Sequence, residues 1–164
     1  MVVSSEKVPT QTFRFVNFPK SRRLFWRYGP LVVWALLIFI GSTDLLSASN
    51  TAGFLRRTFL WVFPHTSAAT LKILQLVARK AGHFTEYAIL GLLAARAFRN
   101  SSRELFRNRW FWLSLLLVVA YALSDEFHQS FVPSRTASIY DSLIDSLGGL
   151  TALALLAVRY RRQA

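Results

Sequence analysis

Four stretches of the chain are apolar enough to form helix cores, and each is bounded by polar or charged residues. Tyr28–Thr43 (YGPLVVWALLIFIGST), Trp110–Ser124 (WFWLSLLLVVAYALS) and Ser146–Val158 (SLGGLTALALLAV) contain no Asp, Glu, Lys or Arg. Tyr87–Ala95 (YAILGLLAA) is a shorter fourth. A helix that crosses a bilayer needs about 20 mostly apolar residues, so each span must extend into its polar flank. The pattern predicts spans beginning near Tyr28, descending through Phe84–Phe98 from a start before His83, running from Trp110 to about Gln129, and running from near Ser138 to Val158. A soluble helix bundle is the alternative, because buried soluble helices also carry apolar runs of about 10–14 residues. Such a helix shows a polar face. Trp110–Leu123 offers only Ser114 and Tyr121 as polar-tipped positions. The expected fold is all-α: a polytopic four-transmembrane-helix bundle at 28–158, between a basic tail at 1–27 and a short basic tail at 159–164.

The connections have their own signals. Gly29-Pro30 suits the first turn of a helix, where a missing N–H does no harm. Ala52–Phe63 (AGFLRRTFLWVF) mixes two arginines with bulky apolar side chains and reads as an interfacial outer segment that ends at Pro64. Ser67–Ala78 looks helical, with Leu71, Leu74 and Ala78 on one face. It is either a membrane-surface helix or an extension of the second span. Pro133 ends the third helix, with Ser134-Arg135-Thr136 as the turn.

The net charge of +12 raises the question of nucleic acid, but its distribution points elsewhere. Lys7, Arg14, Lys20, Arg22, Arg23 and Arg27 precede the first apolar run. Arg96, Arg99, Arg103, Arg107 and Arg109 lie between the second and third, and Arg159, Arg161 and Arg162 follow the fourth. The first-to-second connection has Arg56 and Arg57, then Lys72, Arg79 and Lys80, and the third-to-fourth has Arg135 alone, with several acids. This alternation fits the positive-inside rule for four spans with both termini cytoplasmic. It places Ser42–Ala81 and Asp125–Ile144 outside, and no nucleic-acid partner is expected. The chain has no cysteine, hence no disulfide and no thiol chemistry. A cleaved signal peptide ending at Ser47–Ser49 is a further alternative. The basic segment before the apolar run is long for that role, and Asp44 intervenes.

Ionisable residues then interrupt this apolar frame in two places. Lys80, His83 and Glu86 form one group, and Asp125, Glu126, His128, Gln129, Arg135, Asp141 and Asp145 the other. At roughly 100° per residue, Lys80, His83 and Tyr87 share one helix face with Glu86 on its flank. Asp125, His128 and Gln129 share another, with Glu126 to the side. Ser138, Asp141, Ser142, Asp145, Gly148, Gly149 and Ala152 form a third, small and polar, that permits close helix approach. Charges inside a membrane bundle pair with each other instead of meeting lipid, so the three faces are expected to converge at the outer end.

Each residue also has a structural role open to it. Ser138 with Asp141 matches a capping pattern, Lys80 can pair with Asp125 or Asp141, His128 can face headgroups, and Arg135 can be an interfacial anchor. Chemically, the carboxylates with a histidine suit general acid–base work; His83, Glu86, Asp125 and Glu126 are the catalytic candidates. Lys80, His83, Tyr87, Gln129, Arg135, Asp141 and Asp145 are the ligand-binding candidates. Lys80 and Arg135 suit an anion, Arg through its bidentate fork. The carboxylates can hold a divalent cation, but no established ligand spacing such as H-E-x-x-H is present. No metal and no cofactor are expected.

These residues carry a resemblance. KAGHFTEYAILGLL at 80–93 and SDEFHQSFVPSRTASIYDSLIDSLGG at 124–149 resemble the two signatures of the VanZ-like family, roughly K-x-x-H-F-x-x-Y and then D-E-x-x-Q-x-F-x-x-x-R-x-x-x-x-x-D-x-x-x-N-x-x-G. Lys80, His83, Phe84, Tyr87, Asp125, Glu126, Gln129, Phe131, Arg135, Asp141 and Gly148 match. Asp145 stands where the family commonly has Asn; it is then either protonated or paired with Lys80 or Arg135. The resemblance implies a small bacterial integral membrane protein of the cytoplasmic membrane, from a family named for low-level resistance to teicoplanin. The leading expectation is recognition of a membrane lipid or lipid-linked envelope precursor by an outward-facing polar pocket. There Lys80 and Arg135 bind an anion while Asp125, Glu126 and Asp141 orient those cations. The rivals are an enzyme acting on such a lipid, with His83 as acid or base beside Asp125 or Glu126, and a structural or partner-binding membrane subunit.

Overall fold

The computed structural model describes residues 20–43, 48–132 and 138–163. Among them the chain is helical, in the order α1 (Lys20–Gly41), α2 (Ala48–Val62), α3 (Ala68–Arg99), α4 (Glu104–Asn108), α5 (Trp110–Gln129) and α6 (Ile139–Arg161). Three of these helices are long and apolar enough to cross a membrane: Arg22–Gly41 within α1, α5 and α6. Lys80, His83, Glu86 and Arg96 interrupt the apolar run of α3, which is not one of the three. Pro133 and the turn expected at Ser134-Arg135-Thr136 lie outside the described residues.

Three features differ from the expectation, and one alternative left open is decided. α1 begins at Lys20, so Gly29-Pro30 sits inside the helix and not at its first turn. The missing Pro30 N–H leaves one carbonyl of the preceding turn without its helical partner, a loss that helix packing tolerates in a membrane protein. The Ser67–Ala78 segment joins α3 in one unbroken helix of 32 residues, about 48 Å long at 1.5 Å per residue. Ser67 starts it as a side-chain cap on the Thr70 N–H at 3.2 Å. The basic connection after α3 contains a helical turn, α4, that the polar spacing did not announce. α6 continues past Val158 to Arg161.

Many small and polar side chains face inward, and many large apolar ones face outward. Val32, Leu36 and Ile40 of α1, Trp112 and Leu116 of α5, and Leu143, Leu147 and Leu155 of α6 are all exposed. A water-soluble bundle hides such residues; a bilayer is the solvent in which they belong. The core joins Leu31 and Ile38 of α1, Tyr87, Leu90, Ala94 and Ala97 of α3, and Val118 and Ala122 of α5.

α3 is the central element and packs against α1, α5 and, most extensively, α6. Glycines set how closely α6 approaches α3 and α5. A Cβ on Gly148 would overlap the Phe84 carbonyl of α3, and one on Gly149 would stand 2.5 Å from Val118 Cγ1 of α5. α1 is tied on by single polar contacts along its length. Tyr28 OH donates to Ser101 Oγ at 3.4 Å, Trp34 Nε1 to the Glu86 carbonyl at 2.9 Å, and the Ala35 carbonyl accepts from Tyr121 OH at 2.6 Å. These contacts place the start of α1 beside the end of α3. The far end of α1 meets the end of α5, where Gln129 Nε2 reaches Ser42 Oγ at 3.4 Å.

Candidate functional site

The polar residues converge where α5 ends, α6 begins and α3 passes between them. At the mouth, Lys80 Nζ donates to Asp141 Oδ1 at 2.6 Å, and Arg79 Nη2 lies 3.7 Å from Asp141 Oδ2. Asp141 is largely shielded while the two cations remain about a third exposed. One helical turn deeper, His83 Nδ1 stands 3.4 Å from Asp145 Oδ1, without the alignment of a hydrogen bond. Asp145 is 0% exposed. Lys80 and His83 on α3 and Asp141 and Asp145 on α6 thus form two cross-helix rungs. The i, i+3 and i, i+4 spacings stack each pair on one face.

The remaining members come from the last turn of α5. Gln129 Nε2 donates to Asp125 Oδ2 at 3.0 Å, and both side chains are buried. Glu126, which helical spacing set to the side, is also buried, at 7% exposure. Its Oε2 accepts from the Ser138 backbone N–H at 2.7 Å. This contact replaces the expected capping pattern: the Ser138 side chain makes no cap bond, and Asp141 turns to Lys80. Glu126 therefore supplies from α5 the anionic partner that the start of α6 needs. Ser142 Oγ donates to the Ala122 carbonyl at 3.4 Å beneath them.

Two expected members lie apart. Glu86 is exposed, and its backbone carbonyl, not its carboxylate, receives Trp34 from α1. His128 packs its ring on Phe39, 4.7 Å between centroids, on the α1 side. Of the partners open to Lys80 it takes Asp141, so among the alternatives for Asp145 the pairing with Lys80 is not the one found, and Asp145 faces His83. Arg135 lies outside the described residues. Arg79 and Ser42 enter the cluster without having been singled out. Adjacency to Lys80 was the available signal for the first, and position at the polar exit of α1 for the second.

Several buried acceptors and donors have no hydrogen-bond partner: Asp145 Oδ1 and Oδ2, Glu126 Oε1, Tyr87 OH and His83 Nδ1. Tyr87 is itself 0% exposed. Buried polar atoms are normally satisfied, so this many in one place mark a set able to receive the donors of a ligand or of water. The described residues form no cluster of three or more His, Asp or Glu with metal-holding geometry.

A family model described as VanZ/LLP1 matches residues 27–160, which takes in every residue of this cluster. No curated protein and no solved structure matches the chain. The chain is a membrane protein of apolar helices with a cluster of ionisable residues gathered at one end, and it belongs to the VanZ/LLP1 family.

Proposed function

We propose that this chain crosses the bacterial cytoplasmic membrane four times and that its polar cluster recognises the headgroup of a membrane lipid or lipid-linked envelope precursor at the outer face. One observation carries the reading. Carboxylate oxygens of Asp145 and Glu126 lie buried without donors, directly inside a mouth that holds Lys80 and Arg79. A headgroup with a phosphate and hydroxyl or amine groups complements both layers. The phosphate pairs with Lys80 and Arg79, which Asp141 holds in place, and the hydroxyl or amine donors reach Asp145 and Glu126. Asp125 orients Gln129, not a cation, and Gln129 offers its amide to the ligand. Through such a ligand the protein acts on envelope chemistry and glycopeptide tolerance.

The α2 segment lies in the outer interface in this reading, with exposed Trp61 as its anchor. The test is analysis of lipid bound to the detergent-purified chain. The parent is expected to retain an anionic lipid, and Lys80→Met and Asp145→Leu are expected to lose it while their helicity is unchanged. A bare parent, or variants that keep the lipid, would overturn recognition.

The His83–Asp145 rung favours a second reading, an enzyme acting on a lipid-linked phosphate. A carboxylate facing Nδ1 holds the proton there and leaves Nε2 as the base. Phosphate release from lipid-linked substrates by the parent, abolished in His83→Gln with lipid binding retained, would favour this reading over recognition alone.

A further inference from the structure

The opposite end of the bundle holds a second polar feature. Between the last turns of α3 and α6 lies a groove of about 450 Å³, lined by Leu92, Arg96, Arg99, Asn100, Leu156 and Tyr160. It lies beyond the close approach of Gly91 to Gly149, away from the His83–Asp145 rung. From Leu92 to Arg99 the groove wall rises about 10 Å along the helix. Its deep part is aliphatic, its outer part cationic.

The arginines are arranged for a ligand outside the chain. Arg99 Cζ sits 3.3 Å above the centre of the Tyr160 ring and 5.5 Å from that of Trp110. Stacking fixes the guanidinium plane and leaves its N–H edge for hydrogen bonding. Among the described residues neither Arg96 nor Arg99 has a carboxylate partner. Glu104, the nearest acid along the chain, accepts from Asn108 instead. Both helices end here, and their terminal carbonyls repel an anion. The two full positive charges must outweigh those partial ones, and the aliphatic wall must supply the rest of the affinity.

We infer that the groove lined by Leu92, Arg96, Arg99, Asn100, Leu156 and Tyr160 is a binding site for an anionic glycerophospholipid of the adjoining leaflet. Arg96 and Arg99 hold the phosphate, Asn100 donates its amide, and one acyl chain lies along Leu92 and Leu156. Basic pockets between membrane helices bind such headgroups through this combination of charge and apolar wall.

The test is a titration of the purified full chain with phosphatidylglycerol, reading the first bound lipid by native mass spectrometry. Arg96→Gln with Arg99→Gln is expected to weaken that first binding about tenfold. Arg159→Gln with Arg161→Gln, which removes the same charge from the same end outside the groove, is expected to change it less than about twofold. Leu156→Trp fills the groove without altering charge and is expected to weaken binding as the arginine pair does. Equal losses from both arginine pairs, or no loss from Leu156→Trp, would reduce the effect to surface charge and overturn the site. Displacement of the lipid by an equal concentration of free glycerol phosphate would overturn the lipid class, because the apolar wall would then contribute nothing.

Discussion

Glu126 separates what a residue's spacing reveals from what its surroundings decide. A helical wheel sets it about 100° from Asp125, yet both are buried. The start of α6 folds back over the end of α5 and presents the Ser138 N–H to Glu126. That return is a tertiary event, invisible in the local pattern. Glu126→Ala leaves this N–H without its partner and is expected to cost about 1–3 kcal/mol in unfolding from detergent. Glu126→Gln keeps an acceptor oxygen and is expected to cost less. Lys80 is the contrasting case. About a third exposed, it forms a short ion pair that solvent screens. Lys80→Met is therefore expected to change stability by under about 1 kcal/mol. Should it unfold the protein instead, Lys80 serves the fold and not a ligand. The candidate residues themselves were legible because ionisable groups are rare in apolar runs. Their partners were not, because the register between the parallel helices α3 and α6 is fixed by packing. That is why Asp145 faces His83 and Lys80 faces Asp141.

At the level of the elements, α6 was the most readable and α3 the least. The small-and-polar stripe of α6 required a close neighbour, and Ser142, Asp145, Gly148 and Gly149 are indeed buried, together with Leu153. α3 was open to two readings, a separate surface helix or one long span, because Arg79–Glu86 interrupts its apolar pattern, although no Pro breaks the stretch and Gly82 sits within the helix. Helix continuity follows backbone hydrogen bonding, not hydropathy. The seams of α6 with α3 and with α5 make a graded prediction. A methyl group on Gly148 meets the Phe84 backbone carbonyl, which cannot rotate away, so Gly148→Ala is expected to cost about 3 kcal/mol or more. On Gly149 it meets the Val118 side chain, which can be trimmed. Val118→Ala is therefore expected to recover much of the Gly149→Ala loss and none of the Gly148→Ala loss, a coupling that a double-mutant cycle in denaturant reads directly. Equal rescue of both would mean that the seams are looser than the glycine contacts imply.

For the molecule as a whole, the question is whether α3 crosses the membrane, since its charges keep it outside the set of plainly apolar spans. The contacts of α1 supply the argument. Arg27 and Tyr28 reach Ser102 and Ser101 just past the end of α3, Trp34 meets Glu86 in its middle, and Ser42 meets Gln129 at the far end of α5. α3 thus runs antiparallel to α1 over the length that α1 uses to cross, and it returns the chain to the side from which α1 started. A slab that contains α1 and α5 contains this part of α3 as well. Of the charges it brings, Lys80 and His83 face carboxylates of α6 and Arg96 and Arg99 lie near its end, while Glu86 is exposed in its middle. Basic residues before α1, between α3 and α5, and after α6 then share one side, as the positive-inside rule prefers. With only three crossings, at least one of those basic groups would stand on the opposite side. Reporter fusions after Asn100, after Gln129 and at the C-terminus are expected to read cytoplasmic, external and cytoplasmic. Each three-crossing arrangement must place the N-terminus and the C-terminus on opposite sides. An N-terminal tag and a C-terminal reporter found across the membrane from each other would therefore remove α3 from the bilayer, and with it the outward-facing site.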